Sequence, residues 1–343
     1  MHFEIKYVRL FKILSILVKI GNVQIDDYPL ILSPMDDVTD FPFREICKSF
    51  GANYLITEFI ASEALNRDAE KSRRKMLFSS RQHPIAIQIF GADEFELLQC
   101  LEVVESVHPD VIDINWGCPV KKVAGKGAGS GILKDIPRMI HITESLVKHA
   151  HLPITVKTRL GYEETDKPIV EVAERLQDVG VAALSIHGRT KTQMYKGQAD
   201  WTLIGQVKNN PRMHIPIFGN GDITTPQQAL EARNKYGVDG ILIGRAAIGN
   251  PWIFKQTRQL FNGEEPTIPS VEERVEVCRQ HLLAAVDFKG EHTAIFEMRK
   301  HYSGYFRDLV NFKQFRIPLV TYSTLEEILP LFDQIKSYYA TIN

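Results

Sequence analysis

Val111-Ile112-Asp113-Ile114-Asn115-Trp116-Gly117-Cys118-Pro119 is the stretch from which the fold is read. Its apolar, β-branched start predicts a strand, after which Gly117 lets the backbone turn and Pro119 fixes it, so that an amide and a thiol stand at the strand's C-terminal edge. A thiol so placed belongs either to a site or to the core, because free cysteine is among the most buried residue types. The layout recurs. Eight short runs of this kind follow one another: Leu30 to Ser33, Tyr54 to Thr57, Ile85 to Ile89, Val111 to Asn115, Ile154 to Thr158, Ala183 to His187, Ile215 to Phe218 and Gly240 to Ile243. Helical stretches lie between them, such as Glu94 to Val107 and Ile169 to Val179, with apolar residues every three or four positions. Eight strand-helix units in succession predict an α/β fold of the (β/α)8 TIM-barrel type. A doubly wound open sheet is the alternative, but no Gly-x-Gly-x-x-Gly opens the first helix to support it.

Composition sets the frame around these units. The 343 residues are 44% hydrophobic and 24% charged, with 41 Lys+Arg against 42 Asp+Glu, a net charge of -1. That is room for one large core and an appendage. The near-neutral balance excludes a protein that grips nucleic acid by bulk charge, so such binding requires a local patch. Cysteines 47, 100, 118 and 278 form neither metal-ligand spacing nor a paired framework, which predicts no metal site and a cytoplasmic protein. Phe11 to Ile20 is apolar, but Lys12 and Lys19 interrupt it and it falls short of the roughly 20 residues of a membrane span. We therefore read residues 1-18 as an N-terminal extension with no membrane role, followed by a hairpin turning at Gly21-Asn22.

In a barrel the strands' C-terminal ends carry function, and Gln88, Asn115, Lys157, Arg159, His187, Asn220 and Arg245 all fall there. Singly, each is also explained as a loop cap or a satisfied hydrogen-bond partner. The seventh and eighth units end in Gly219-Asn220-Gly221-Asp222 and Gly244-Arg245. In barrels these two loops commonly hold a phosphate, since glycine lets N-H groups approach an anion and arginine forks onto its oxygens. Two tight βα turns are the plainer reading. A ligand anchored there and lying across the mouth reaches Pro34, Met35, Gln88 and Lys157. An apolar lip, an amide and a cation suit an isoalloxazine ring, which points to FMN.

These residues resemble the tRNA-dihydrouridine synthases, and most closely their bacterial B-type subfamily. The resemblance rests on an ordered set: Ser33-Pro34-Met35, Gln88-Ile89-Phe90-Gly91, Asn115-Trp116-Gly117-Cys118-Pro119, Lys157-Thr158-Arg159, His187-Gly188-Arg189-Thr190, Tyr195-Lys196-Gly197, Gly219-Asn220-Gly221-Asp222-Ile223 and Gly244-Arg245. It departs from the family at Asp36-Asp37, where small residues are usual. It implies an FMN-dependent enzyme, reduced by NADPH or NADH, that reduces C5-C6 of uridines in tRNA. Hydride goes to C6 and Cys118 gives the proton to C5; an unperturbed thiol, of pKa about 8.5, is mostly protonated at neutral pH. It further implies FMN contacts from Pro34, Met35, Gln88, Lys157, His187, Gly219, Asn220, Gly221, Asp222, Gly244 and Arg245, and uracil contacts from Asn115, Arg159 and Tyr195. No obligate protein partner is implied.

After the barrel, expected over 19-260, Phe261 to Pro269 reads as a polar linker and apolar residues at Val271, Val275, Cys278, Leu282 and Ala285 recur at helical spacing. A smaller all-helical domain, 261-343, is expected to bind tRNA. It is not basic overall, with nine Lys+Arg from Gly263 onward against more acids. Arg299 and Lys300 are its candidate RNA contacts, with Arg307 in the same cluster; a solvated helix face is the other reading. Two functions compete with a tRNA reductase: an FMN oxidoreductase of a free pyrimidine, and an RNA-binding barrel without redox chemistry.

Overall fold

The computed structural model describes residues 17-342. Most of the expected extension, residues 1-16, lies outside the described residues. The expected hairpin forms: β1 (Lys19–Ile20) and β2 (Val23–Gln24) pair antiparallel, with Gly21 at φ +57°. Ile20 is fully buried among residues near the strand starts, Tyr54, Val111, Ala183 and Phe218 included, so the hairpin covers the N-terminal end of the barrel.

Eight parallel strands close into a ring: β3 (Leu30–Leu32), β4 (Tyr54–Ile56), β6 (Ile85–Phe90), β7 (Val111–Trp116), β8 (Ile154–Arg159), β9 (Ala183–His187), β10 (Ile217–Asn220) and β11 (Gly240–Ile243), with the short β5 (Ile60–Ala61) beside the end of β6. The β4-β6 pairing completes the (β/α)8 barrel. Because helices cover the outside and side chains fill the inside, β7 is buried at every position. The seventh strand starts two residues later than its sequence run. Pro216 has no N-H to give the ladder, although its carbonyl accepts from Leu184, and Ile217 bonds instead to Asp239.

The connecting helices are α1 (Phe41–Ser49), α2 (Ser62–Asn66), α3 (Glu70–Lys75), α4 (Glu94–Glu105), α5 (Lys121–Ala124), α6 (Ile136–His149), α7 (Ile169–Asp178), α8 (Trp201–Lys208), α9 (Pro226–Tyr236) and α10 (Trp252–Phe261). Asp40, Asp93, Asp135, Asp200 and Thr225 cap their first turns, accepting the backbone N-H groups that a helix start leaves unpaired. Register then fixes the rim: Asn115 lies beside Lys157, Arg159 beside His187 and His187 beside Asn220.

Beyond α10 the chain lacks regular structure until α11 (Val271–Lys289), which is followed by α12 (Glu291–Tyr305), α13 (Lys313–Thr321) and α14 (Leu325–Ile342). These helices share a core of Val275, Cys278, Leu282, Met298, Tyr302 and Phe332, against which Ile46 of α1 and Phe50 just after it also pack. Two glycines set how closely α12 meets the barrel. A Cβ on Gly304 would stand 2.0 Å from the Ile248 carbonyl, and one on Gly249 2.0 Å from that of His301. Lys289 pairs with Asp40, and Lys300 donates to the Asp37 carbonyl. All four cysteines are free thiols. Among the described residues no helix is long and apolar enough to cross a membrane.

Candidate active site

A cleft of about 590 Å³ opens at the C-terminal ends of the strands. Pro34, Met35, Asn115, Cys118, Lys157, Arg159, His187, Tyr195, Asn220, Gly221, Asp222, Gly244 and Arg245 line it, from six different strand ends.

The loop carrying Cys118 is held from three sides. Asn115 Oδ1 accepts from the N-H groups of Gly117 and Cys118, at 3.0 and 2.8 Å. Ser130 donates its N-H and its hydroxyl to the Cys118 carbonyl, at 3.0 and 2.8 Å. Arg159 donates Nε to the Gly117 carbonyl at 2.7 Å and Nη1 to those of Thr190 and Met194. Asn115 is itself fixed from below: its Nδ2 donates to Gln88 Oε1 at 2.8 Å, Gln88 Nε2 to Asp113 at 2.6 Å, and Thr155 to the other Asp113 oxygen at 2.6 Å. Burial pushes the Cys118 thiol up, over the opposing pull of Arg159 and Lys157, so its proton stays on Sγ at neutral pH.

Positive charge gathers across the cleft. The half-buried Lys157 ammonium makes no ion pair among the described residues and donates to Asn220 Oδ1 at 3.2 Å. Burial, and then Arg159, push its pKa down to about 8. His187 is held neutral by burial and by Arg159, Lys157, Arg189 and Arg245. Arg189 has only donors and faces His187 Nε2 at 3.4 Å, so Nε2 accepts and the ring proton sits on Nδ1. Asp222, in the left-handed region at φ +54°, takes Arg189 at 2.6 Å and Arg245 at 3.1 Å. The donor set therefore fits an anionic ligand: Lys157 and Arg159 without ion pairs among the described residues, Arg245 held by Asp222 at the cleft, glycine backbone at Gly221 and Gly244, and an apolar lip at Pro34 and Met35. A Cβ on Gly221 would stand 2.6 Å from that of Ala199, so nothing larger fits there.

Four expected contacts stand elsewhere. Gln88 is fully buried beneath the cleft, both ends of its amide taken by Asn115 and Asp113. A Cβ on Gly219 would meet the Trp201 ring at 2.1 Å, so this glycine faces α8. Arg299 donates to the Tyr322 carbonyl at 3.2 Å and lies over Phe296. Lys300 is engaged with Asp37. Arg307, from the same basic cluster, does line the cleft. Asp113, Ser130 and Arg189 were not singled out from the sequence. Inside a wholly buried strand or a glycine-rich turn, nothing marks a polar residue as support for its neighbour.

Asp36, Asp37 and Glu58 bring carboxylate oxygens within 4.8 Å of one another, the one metal-like grouping among the described residues. Lys75 already meets it, at 2.5 Å from Asp36 and 3.4 Å from Glu58. Asp36-Asp37 thus answers a lysine supplied by α3.

The chain is similar to known proteins along nearly its whole length. The family model described as dihydrouridine synthase matches residues 31-338. A probable tRNA-dihydrouridine synthase of Rickettsia conorii is 34% identical over 328 residues, 95% of this chain and 97% of the relative. The tRNA-dihydrouridine synthase B of Pseudomonas putida is 34% identical over 91% of each chain, and that of Shewanella oneidensis 34% identical over 94% of this chain and 98% of its own. Among solved structures, histamine dehydrogenase from Rhizobium sp. 4-9 superposes with a TM-score of 0.54 at 12% identity, covering 79% of this chain and 51% of the other. A 2-naphthoyl-CoA reductase does so at 0.52 and 11%, covering 73% and 52%. At such identities the two structures share the fold alone.

Proposed function

The chain belongs to the dihydrouridine synthase family, and from that premise we propose that it reduces specific uridines of tRNA to 5,6-dihydrouridine, using FMN re-reduced by NADPH or NADH. One observation carries the reading: a protonated thiol, Cys118, on a tethered loop, shares a cleft with the ammonium of Lys157, which makes no ion pair among the described residues. When bound, FMN supplies the hydride that goes to C6 of uracil.

This chain's residues do the rest. Pro34 and Met35 would pack on FMN, Lys157 would offer it positive charge, and Gly221, Gly244 and Arg245 would hold its phosphate. Asp222 aims Arg245 toward that end, and neutral His187 adds a hydrogen-bond donor without further charge. Gln88 acts one step removed, orienting Asn115 and through it the thiol loop. Cys118 gives its proton to C5 as negative charge develops there, so it works as an acid and not as a nucleophile. Arg159 holds the walls of the uracil site through three carbonyls, and the ring of Tyr195, half exposed and 5.7 Å from that guanidinium, offers a face for the base. The target base must leave its stack, which costs least in a tRNA loop. The helical segment 261-343 and Arg307 at the cleft's edge supply the RNA grip that a small-molecule reductase does not need.

The test is direct. Purified protein should be yellow, NADPH should bleach its flavin absorbance, and adding unmodified tRNA should restore the yellow colour while dihydrouridine forms. A free pyrimidine that reoxidises the flavin as well as tRNA does would favour the small-molecule reaction.

A further inference from the structure

Outside the cleft, the ring of Tyr162 gathers two lysines. Lys134 Nζ lies 4.5 Å and Lys191 Nζ 4.9 Å from its centroid. Neither makes an ion pair among the described residues, and the neighbouring Glu164 is taken by Lys167 at 2.9 Å and by the Thr190 hydroxyl. Two ammonium groups brought to one phenol repel each other, and the ring face offsets only part of that cost. An anion between them removes the conflict.

The cluster's supports are those of the candidate site. Lys134 ends the turn Gly129–Lys134, whose Ser130 holds the Cys118 carbonyl. Tyr162 follows β8, and its carbonyl accepts from Thr192 while that of Gly161 accepts from Lys191. Arg159 secures the Lys191 loop through Thr190 and Met194. The loop of Tyr162 itself carries Glu163, Glu164 and Asp166 beside Lys167, but the two loops that flank it are one-sided: Ile114 to Lys134 holds four lysines and no acid, and His187 to Ala199 holds Arg189, Lys191 and Lys196 and no acid. In a chain of net charge -1 that is a local basic surface.

Its position in the ring gives it meaning. Counting either way round from β3, β8 is the fourth neighbour, so the cluster faces β3 across the mouth. The helix after β3, α1, is among the barrel elements on which the C-terminal helices pack. None of the three residues lines the cleft, so a ligand that fills the cleft and also reaches them must extend beyond it. A polynucleotide strand does.

We propose that Lys134, Tyr162 and Lys191 bind a backbone phosphate of the RNA strand carrying the target uridine, opposite the C-terminal helices, so that the substrate is gripped on both sides of the barrel mouth. This rests on the tRNA reading above. The test uses full-length, flavin-loaded protein and unmodified tRNA, with the dissociation constant measured against salt. Lys134→Gln with Lys191→Gln should weaken binding about tenfold near 0.1 M salt and lower the slope of log K against log salt by about 0.7 to 0.9, as loss of one phosphate contact requires. The corresponding double Arg variant should keep both, and the rate of flavin reduction by NADPH should not change in either. A Gln variant with unaltered affinity and slope, beside a wild type that binds tRNA, overturns this site alone. A raised KM for NADPH with tRNA binding intact assigns the cluster to the nicotinamide dinucleotide and overturns it too. A wild type that does not bind tRNA removes the substrate reading and this proposal with it.

Discussion

Asn115 uses its side-chain oxygen to hold the two N-H groups that shape the Cys118 turn, and its amide nitrogen is held by Gln88. The thiol's position therefore depends on a chain of buried polar groups that ends at Asp113 and Thr155. Replacing the thiol tests its role: Cys118→Ala should slow dihydrouridine formation by about 10²- to 10⁴-fold, the usual range for a general acid, while flavin reduction by NADPH stays at the wild-type rate. Stopped-flow absorbance separates the two steps, and loss of flavin reduction would contradict the assignment. Lys157 gives a pH signature. Its pKa is about 8 when folded against 10.5 for a free lysine, so between those values the unfolded chain binds more protons and stability rises with pH. Flavin-free wild type should therefore gain Tm from pH 8 to 10 relative to Lys157→Met, as followed by circular dichroism. Cys118 and Asn115 were legible because they stand where a strand gives way to a turn, and Lys157 because it is a cation near the end of the otherwise uncharged run Ile154 to Thr158. Gln88 and Gly219 were not, because in a strand buried on both faces the sequence carries no alternation to tell the cleft side from the helix side.

At the level of elements, seven of the eight sequence runs sit on their strands nearly to the residue, because each pairs a β-branched core with a polar or glycine stop. The seventh moved where Pro216 removed a donor, an effect that depends on the partner strand as well as on the run itself. Less legible was how the C-terminal helices meet the barrel. The contact is made by Gly249, just after the Arg245 turn, and Gly304 inside α12, and a glycine within a helix announces no partner. Gly304→Ala would press a methyl into the Ile248 carbonyl, 2.0 Å away, and move the turn that bears Arg245. Such overpacking should cost about 1-3 kcal/mol, read by denaturant titration, and should weaken flavin binding as well. Weakened stability with full flavin affinity would separate the helix contact from the phosphate turn.

Across the whole molecule, barrel and C-terminal helices share side chains. Ile46 of α1 and Phe50 just after it pack on the helical core, and Lys289 and Lys300 reach Asp40 and the Asp37 carbonyl on the loop leaving β3. Scanning calorimetry should accordingly give one unfolding transition, with two separate peaks contradicting such coupling. The same contacts set the C-terminal helices beside one rim of the cleft, with basic loops on the opposite rim, although the total charge of -1 gave no sign of an RNA surface. The lysine run Lys121, Lys122 and Lys126 after the fourth strand was legible in the sequence, but that the Lys191 loop stands beside it followed only from the order of strands in the ring. The central claim is a reductase whose substrate is uridine within tRNA and whose acid is Cys118. Its most direct test is single-turnover reaction of pre-reduced, flavin-loaded protein with unmodified tRNA, scored for dihydrouridine by mass spectrometry of the digested RNA. The account predicts about one dihydrouridine per flavin with wild type and almost none in the same time with Cys118→Ala; no dihydrouridine from wild type, or an equal yield from both, would contradict it.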